Sequence, residues 1–171
     1  TLRLPSVPIP DVGAGPYSVA LADLDGDGAL DLVTGNGIDN TVGVLRGLGD
    51  GRFQPVVTYP VGAFPKEVTV GDWNGDKKLD FITELFYANS QPDNVALAEY
   101  FGNGDDTFTL QPLIHLAGYD LGWVYQADVN GEKKTDLVIQ SALTYQGVVT
   151  LLGDGRGGFG WANSASSPPV A

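Results

Sequence analysis

Short apolar segments recur along this 171-residue chain, each bounded by Gly, Asp, Asn or Pro. They are too short for helices and rich in Val, Ile, Leu and Phe, a pattern that predicts strands. Their order repeats. One strand enters an acidic loop (18–22, 67–71 and 123–127) and a second leaves it (32–35, 81–84 and 137–140). A third, at 41–47, 95–102 and 147–153, ends in a Gly/Asp-rich turn with a Phe beyond it: GLGDGRF, GNGDDTF and GDGRGGF. Such turns need positive φ, which Gly, Asn and Asp adopt at least cost. A fourth strand is predicted at 54–60 and 109–116, and with a less apolar pattern at 161–167.

Four antiparallel strands about every fifty residues predict an all-β chain of β-propeller-type blades. Residues 1–11 read as the outer strand of a neighbouring blade, because TLRLPSVPIP precedes VGAGP as VTYP precedes VGAFP. The blade repeats are 12–60, 61–115 and 116–167, with a tail at 168–171. About three blades make a partial propeller, or part of an oligomeric or larger ring, since propellers close with about four to eight. One route to closure is exchange, in which Leu2–Pro10 of one copy completes the third blade of another.

The acidic loops turn an architectural reading into a chemical one. DLDGDGALD (Asp23–Asp31), DWNGDKKLD (Asp72–Asp80) and DVNGEKKTD (Asp128–Asp136) start 49 and 56 residues apart. Each puts oxygen-bearing side chains at positions 1, 3, 5 and 9, with Gly at position 4. A hard cation such as Ca²⁺ takes six to eight oxygen ligands, and alternation of Asp or Asn with small residues points several at one centre. An EF-hand would need flanking helices and a bidentate Glu at position 12, where this chain has Thr34, Thr83 and Ile139.

These loops, each between two strands, resemble the FG-GAP/VCBS repeat family: calcium-binding propeller blades of integrin α-subunits and many secreted microbial proteins. The resemblance covers roughly residues 12–160 and rests on the repeated D-x-[DN]-G-[DE]-x-x-x-D. Family propellers usually have seven blades. By position it implies up to three Ca²⁺. The first would sit on Asp23, Asp25, Asp27, Asp31 and the Ala29 carbonyl. The second would use Asp72, Asn74, Asp76, Asp80 and the Lys78 carbonyl, and the third Asp128, Asn130, Glu132, Asp136 and the Lys134 carbonyl. Glu132 departs from the pattern, its extra methylene crowding a tight loop. Lys77, Lys78, Lys133 and Lys134 set cations beside the second and third loops, so local charge ranks the affinities first, second, third.

Charge fits this chemistry. The net charge of −12 argues against nucleic acid or an anionic membrane surface as partner. The loops hold ten of the 21 acidic residues, four, three and three, and three divalent ions would bring −12 to −6. Their expected role is structural, converting carboxylate repulsion into cross-links between strands.

No apolar run approaches the ~18 residues of a membrane span. With no Cys, thiol chemistry is excluded. The start at Thr1, with no signal-peptide h-region, reads as a processed or excised chain. His115 is the single histidine, in the apolar stretch PLIHL, and neither a G-x-S-x-G elbow nor a phosphate loop occurs. The chain is not expected to be an enzyme.

The expected function is a calcium-binding extracellular module that recognises a glycan or protein. The alternatives are a non-catalytic fragment of a secreted polysaccharide-degrading enzyme and a structural spacer of a surface protein. Extracellular calcium modules bind at about 10⁻⁴–10⁻³ M, which cytosolic calcium would not fill, so the expected location is extracellular, periplasmic or cell-surface. No membrane insertion is expected, and homo-oligomerisation or association with further blades is. In a four-stranded meander the metal loops share one face, leaving the other for a ligand. There the second repeat carries the long segment LFYANSQPDN (85–94), offering Tyr87, Asn89, Gln91 and Asp93. The blade-to-blade loops add Tyr17, Phe64 and Tyr119, and rings beside amides suit sugars or a peptide. The competing reading of the long segment is a tolerated surface insertion.

Overall fold

A computed structural model of the chain describes residues 10–87, 95–116, 121–141 and 147–162. Among the described residues there are thirteen strands and no helix, arranged in three antiparallel sheets, none closed into a barrel. The first sheet runs β1 (Pro16–Ala22), β2 (Asp31–Asn36), β3 (Thr41–Leu45), β4 (Val57–Pro60). The second runs β5 (Phe64–Gly71), β6 (Asp80–Phe86), β7 (Val95–Gly102), β8 (Phe108–Leu110), with β9 (Ile114–His115) also paired to β7. The third runs β10 (Leu121–Ala127), β11 (Asp136–Ser141), β12 (Gly147–Gly153), β13 (Phe159–Trp161). These are meanders of propeller-blade type.

Two differences from the sequence pattern have local causes. Each leading strand begins earlier than its apolar core because it carries a register shift, at Pro16/Ser18, Pro65/Val68 and Leu121/Val124. Such a bulge lengthens one strand against its partner and increases its twist. The fourth strands are shorter than predicted: Pro55 precedes the start of β4, and Pro112 separates β8 from β9. A proline has no N–H for the ladder, so it delays or splits an edge strand. The predicted third-repeat outer strand at 161–167 gives way to β13, which starts at Phe159. Residues 163–167, like the predicted strand Leu2–Pro10 up to residue 9, lie outside the described residues.

The cores lie between sheets. Val33, Val42 and Val44 of the first sheet pack on Val68, Phe81, Leu85, Ala98, Tyr100 and Phe108 of the second. Phe81 stacks on Tyr100 at 4.7 Å, and Tyr59 of β4 meets Tyr100 and Phe108 edge-on at 5.6 Å each. On the other face of the second sheet, Trp73, Ile82 and Leu97 pack on Val124, Leu137, Ile139, Val149 and Leu151. Adjacent β6 residues therefore point into different cores, and the middle sheet is buried on both sides. At about 1.5–3 kcal/mol per fully buried large aliphatic or aromatic side chain, sheet-to-sheet contact is a principal source of stability. The outward faces differ: Val19 and Leu21 on the first sheet, and Trp123, Tyr125 and Val148 on the third, are exposed.

Candidate metal centres

Each acidic loop closes the hairpin between the first two strands of its sheet, and its own carboxylates fold it. In the first, Asp23 accepts the amides of Gly26 (2.9 Å) and Gly28 (2.9 Å), Asp25 that of Asp27 (3.0 Å), and Asp27 that of Ala29 (2.8 Å). The second repeats this: Asp72 with Gly75 (2.7 Å) and Lys77 (3.0 Å), Asn74 with Asp76 (2.8 Å), Asp76 with Lys78 (2.9 Å). These are Asx turns, in which a short side chain caps an amide further along. Positions 4 and 6 are left-handed in every loop: Gly26 and Gly28, Gly75 and Lys77, Gly131 and Lys133. Position 4 is glycine each time. Position 6 is glycine in the first loop alone.

The Asp at position 9 does something the motif does not announce. Asp31, Asp80 and Asp136 are fully buried, and each carboxylate accepts two backbone amides. Asp31 takes Leu24 (2.7 Å) and Gly47 (2.8 Å), Asp80 takes Trp73 (2.9 Å) and Gly102 (2.8 Å), and Asp136 takes Val129 (3.0 Å) and Gly153 (2.9 Å). The residue clamps the start of the loop to the end of the third strand. There the chains approach so closely that a Cβ on Gly47, Gly102 or Gly153 would lie 2.1 Å from the carbonyl oxygen of Leu30, Leu79 or Thr135. Clamp and glycine are one device. For Asp80, burial pushes the carboxyl above its ordinary range, while the two amides pull it back.

The first loop brings together the most carboxylate. Oxygens of Asp23, Asp25 and Asp27 lie within 4.8 Å of one another, and so do those of Asp25, Asp31 and Asp106. Asp106 comes from the turn after β7 in the next sheet. Burial and the charges of Asp31 and Asp25 push its carboxyl up to about 6, against the pull of Arg46. Arg46, just past β3, forms ion pairs with Asp25, with Asp27 (2.9 Å) and with Asp106 (3.6 Å). The Asp27 carboxyl is held low by the Ala29 amide and then by Arg46. Arg46 thus sets a cation beside the first loop as well, one that the charge-based ranking does not count. Arg46 lies fifteen residues beyond the loop in sequence, and only strand pairing brings it back.

The third loop departs from the pattern where the sequence does. Asp128 accepts the amides of Gly131 (2.7 Å) and Lys133 (2.8 Å), and Asn130 accepts that of Glu132 (3.0 Å). Glu132, however, spends one oxygen on the Asn130 side chain (2.9 Å) and the other on Lys134 (2.8 Å). Lys134, then Asn130, hold its carboxyl below the ordinary range. Among the described residues, the first loop groups acidic oxygens closely enough that they could hold a metal ion, and the second repeats its Asx-turn geometry. Position 5 is engaged by a cation in both the first loop, where Arg46 holds Asp27, and the third, where Lys134 holds Glu132. Ala29, Lys78 and Lys134 stand at position 7 of their loops.

The candidate ligand residues are in part brought together. Tyr17 is exposed and meets Phe64 edge-on at 5.3 Å. Tyr87 is half-buried against the first core. Asn89, Gln91, Asp93 and Tyr119 lie outside the described residues. His115 is exposed on β9, beside Ala96. Two buried carboxylates were not singled out from sequence. Glu99 is 2% exposed, with Oε1 unpartnered. Burial, with the charges of Asp80 and Asp154, pushes it up to about 8. Glu84, equally buried, faces Lys66 at 3.6 Å.

Meander sheets with an acidic Asx-turn loop at each first hairpin define a repeat protein of β-propeller type. Residues 23–83, from position 1 of the first loop to mid-β6, match the family model of the FG-GAP-like repeat. No curated protein matches the chain. The third loop lies beyond the matched segment and repeats its amide-capping pattern at positions 1 and 3.

Proposed function

We propose that the chain is a calcium-stabilised propeller module of the extracellular, periplasmic or cell-surface space, binding rather than catalytic. The observation that carries this reading is the first loop, where three Asx-turn carboxylates converge within 4.8 Å. Asp23, Asp25 and Asp27 would hold the ion there, and Asp72, Asn74 and Asp76 in the second loop. The ion supplies positive charge where carboxylates otherwise repel, and the residues supply a loop already folded, so binding adds to folding stability. Among the described residues no helix is long and apolar enough to cross a membrane. A glycan or protein is the proposed partner, on the face opposite the metal loops, with the exposed Tyr17 against Phe64 as its described part.

Thermal unfolding in excess chelator, in millimolar calcium and in equal magnesium tests the reading. Calcium raises the melting temperature and magnesium raises it less, because Mg²⁺ demands a tighter octahedron and dehydrates reluctantly. Identical melting in all three would remove the basis for both the metal and the location. Screening the chain on a glycan array separates a binding module from a structural spacer.

A further inference from the structure

We propose that Arg46 is the resident counter-cation of the first loop and gives way when a divalent ion binds. Without metal, the first two sheets are then joined by an arginine bridge. This rests on the metal reading above and specifies how that site is regulated.

Three observations converge. First, the guanidinium contacts three carboxylates from two sheets: Asp25 and Asp27 of the loop, and Asp106 of the turn following β7. The contacted oxygens of Asp25 and Asp27 are their Oδ2 atoms, while each residue's Oδ1 caps the loop's own backbone. The oxygens left for an ion are the ones the arginine holds. Second, the position is peculiar to this repeat. The residue before the glycine that ends the third strand is Arg46 in the first repeat, Phe101 in the second and Leu152 in the third. Third, the side chain has somewhere to go. It borders an open cleft of ≈ 420 Å³ lined also by Asp27, Gly28, Ala29, Leu48 and Gln54.

The electrostatics fix the direction of every effect. Asp23, Asp25, Asp27, Asp31 and Asp106 put five carboxylates around one loop, and a single guanidinium offsets one charge. A divalent ion offsets two and draws on the same oxygens, so ion and arginine compete. Arg46 therefore stabilises the metal-free protein and weakens the first site relative to an otherwise identical loop. Salt screens the part-exposed arginine pairs, which makes the metal-free form the more salt-sensitive one.

The test is a calcium chloride titration of the full chain followed by amide NMR, with Arg46→Gln and Arg46→Lys beside the wild type. Gly26 reports the first loop, Gly75 the second and Gly131 the third. In Arg46→Gln the Gly26 midpoint falls to about one-tenth of the wild-type concentration while the Gly75 midpoint stays put. In excess chelator the same variant melts below wild type, and calcium narrows or reverses the gap. Arg46→Lys, keeping the charge but losing the fork, falls between and covers the case in which the glutamine variant does not fold. If Gly75 responds and the Gly26 midpoint is the same in all three proteins, Arg46 is a surface ion pair and the proposal is wrong. If no glycine responds, the metal reading itself falls.

Discussion

Asp80→Asn changes one oxygen to an NH₂ in a fully buried carboxylate that accepts Trp73 N–H at 2.9 Å and Gly102 N–H at 2.8 Å. The amide keeps one acceptor and turns a donor toward the other N–H. The loss is one charge-assisted hydrogen bond, about 1.5–3 kcal/mol, accompanied by an unpartnered buried donor. Part is returned, because burial and the neighbouring Asp76 and Asp72 charges already disfavour the Asp80 anion. The net expectation is roughly 2 kcal/mol of destabilisation, or about 4–8 °C in melting temperature for a domain of this size. Asp80→Ala, orphaning both amides, costs about twice that. Urea unfolding followed by the emission of the buried Trp73 measures it, once in excess chelator and once in calcium. A clamp loses stability in both conditions. Wild-type stability in chelator, with a deficit appearing in calcium alone, would refute the clamp and leave Asp80 as nothing but a metal ligand.

Glu99 titrates at about 8 in the folded chain, against an ordinary 4.5, so the native state binds the extra proton between those values and loses stability as pH rises through them. Glu99→Gln is expected to flatten the melting temperature between pH 5 and pH 9 in chelator, chiefly by gaining at pH 9; an unchanged slope would exclude Glu99 as its source. Lys77 holds a φ of 69° with its side chain exposed, and Lys77→Gly should stabilise by about 0.5–1 kcal/mol, since glycine meets no Cβ penalty there. Equal or lower stability by urea denaturation counts against that strain. Trp123 and Tyr125 expose an apolar face on the last sheet, and patches of this kind mark interaction surfaces. Light scattering should show self-association that Trp123→Ser with Tyr125→Ser reduces, and a wild-type monomer would contradict it.

The strand order was legible because it is written locally. Short apolar runs bounded by turn residues place β7 and β12 at the residues the pattern marks, Val95–Gly102 and Gly147–Gly153. The loops were legible for the same reason, since Asx turns bind side chains to amides two to five residues away. What was hidden is long-range. Arg46 and Asp106 reach the first loop only through strand pairing and sheet stacking, and no spacing rule encodes that. The clamp at position 9 was masked by its place in a ligand pattern, though the glycine ending each third strand was its visible counterpart. Glu84 and Glu99 carry no local signal of burial. The middle sheet, covered on both faces, buries them.

Calcium uptake by the intact chain tests the central claim most directly. Titration calorimetry against wild type and an Asp25→Ala, Asp76→Ala variant should show saturable binding in the 10⁻⁴–10⁻³ M range typical of extracellular modules, about one ion per competent loop. The third loop should be weakest, and binding to the first two should be lost in the variant. Absence of saturable heat from the wild type at millimolar calcium, or equal uptake by the variant, would contradict it.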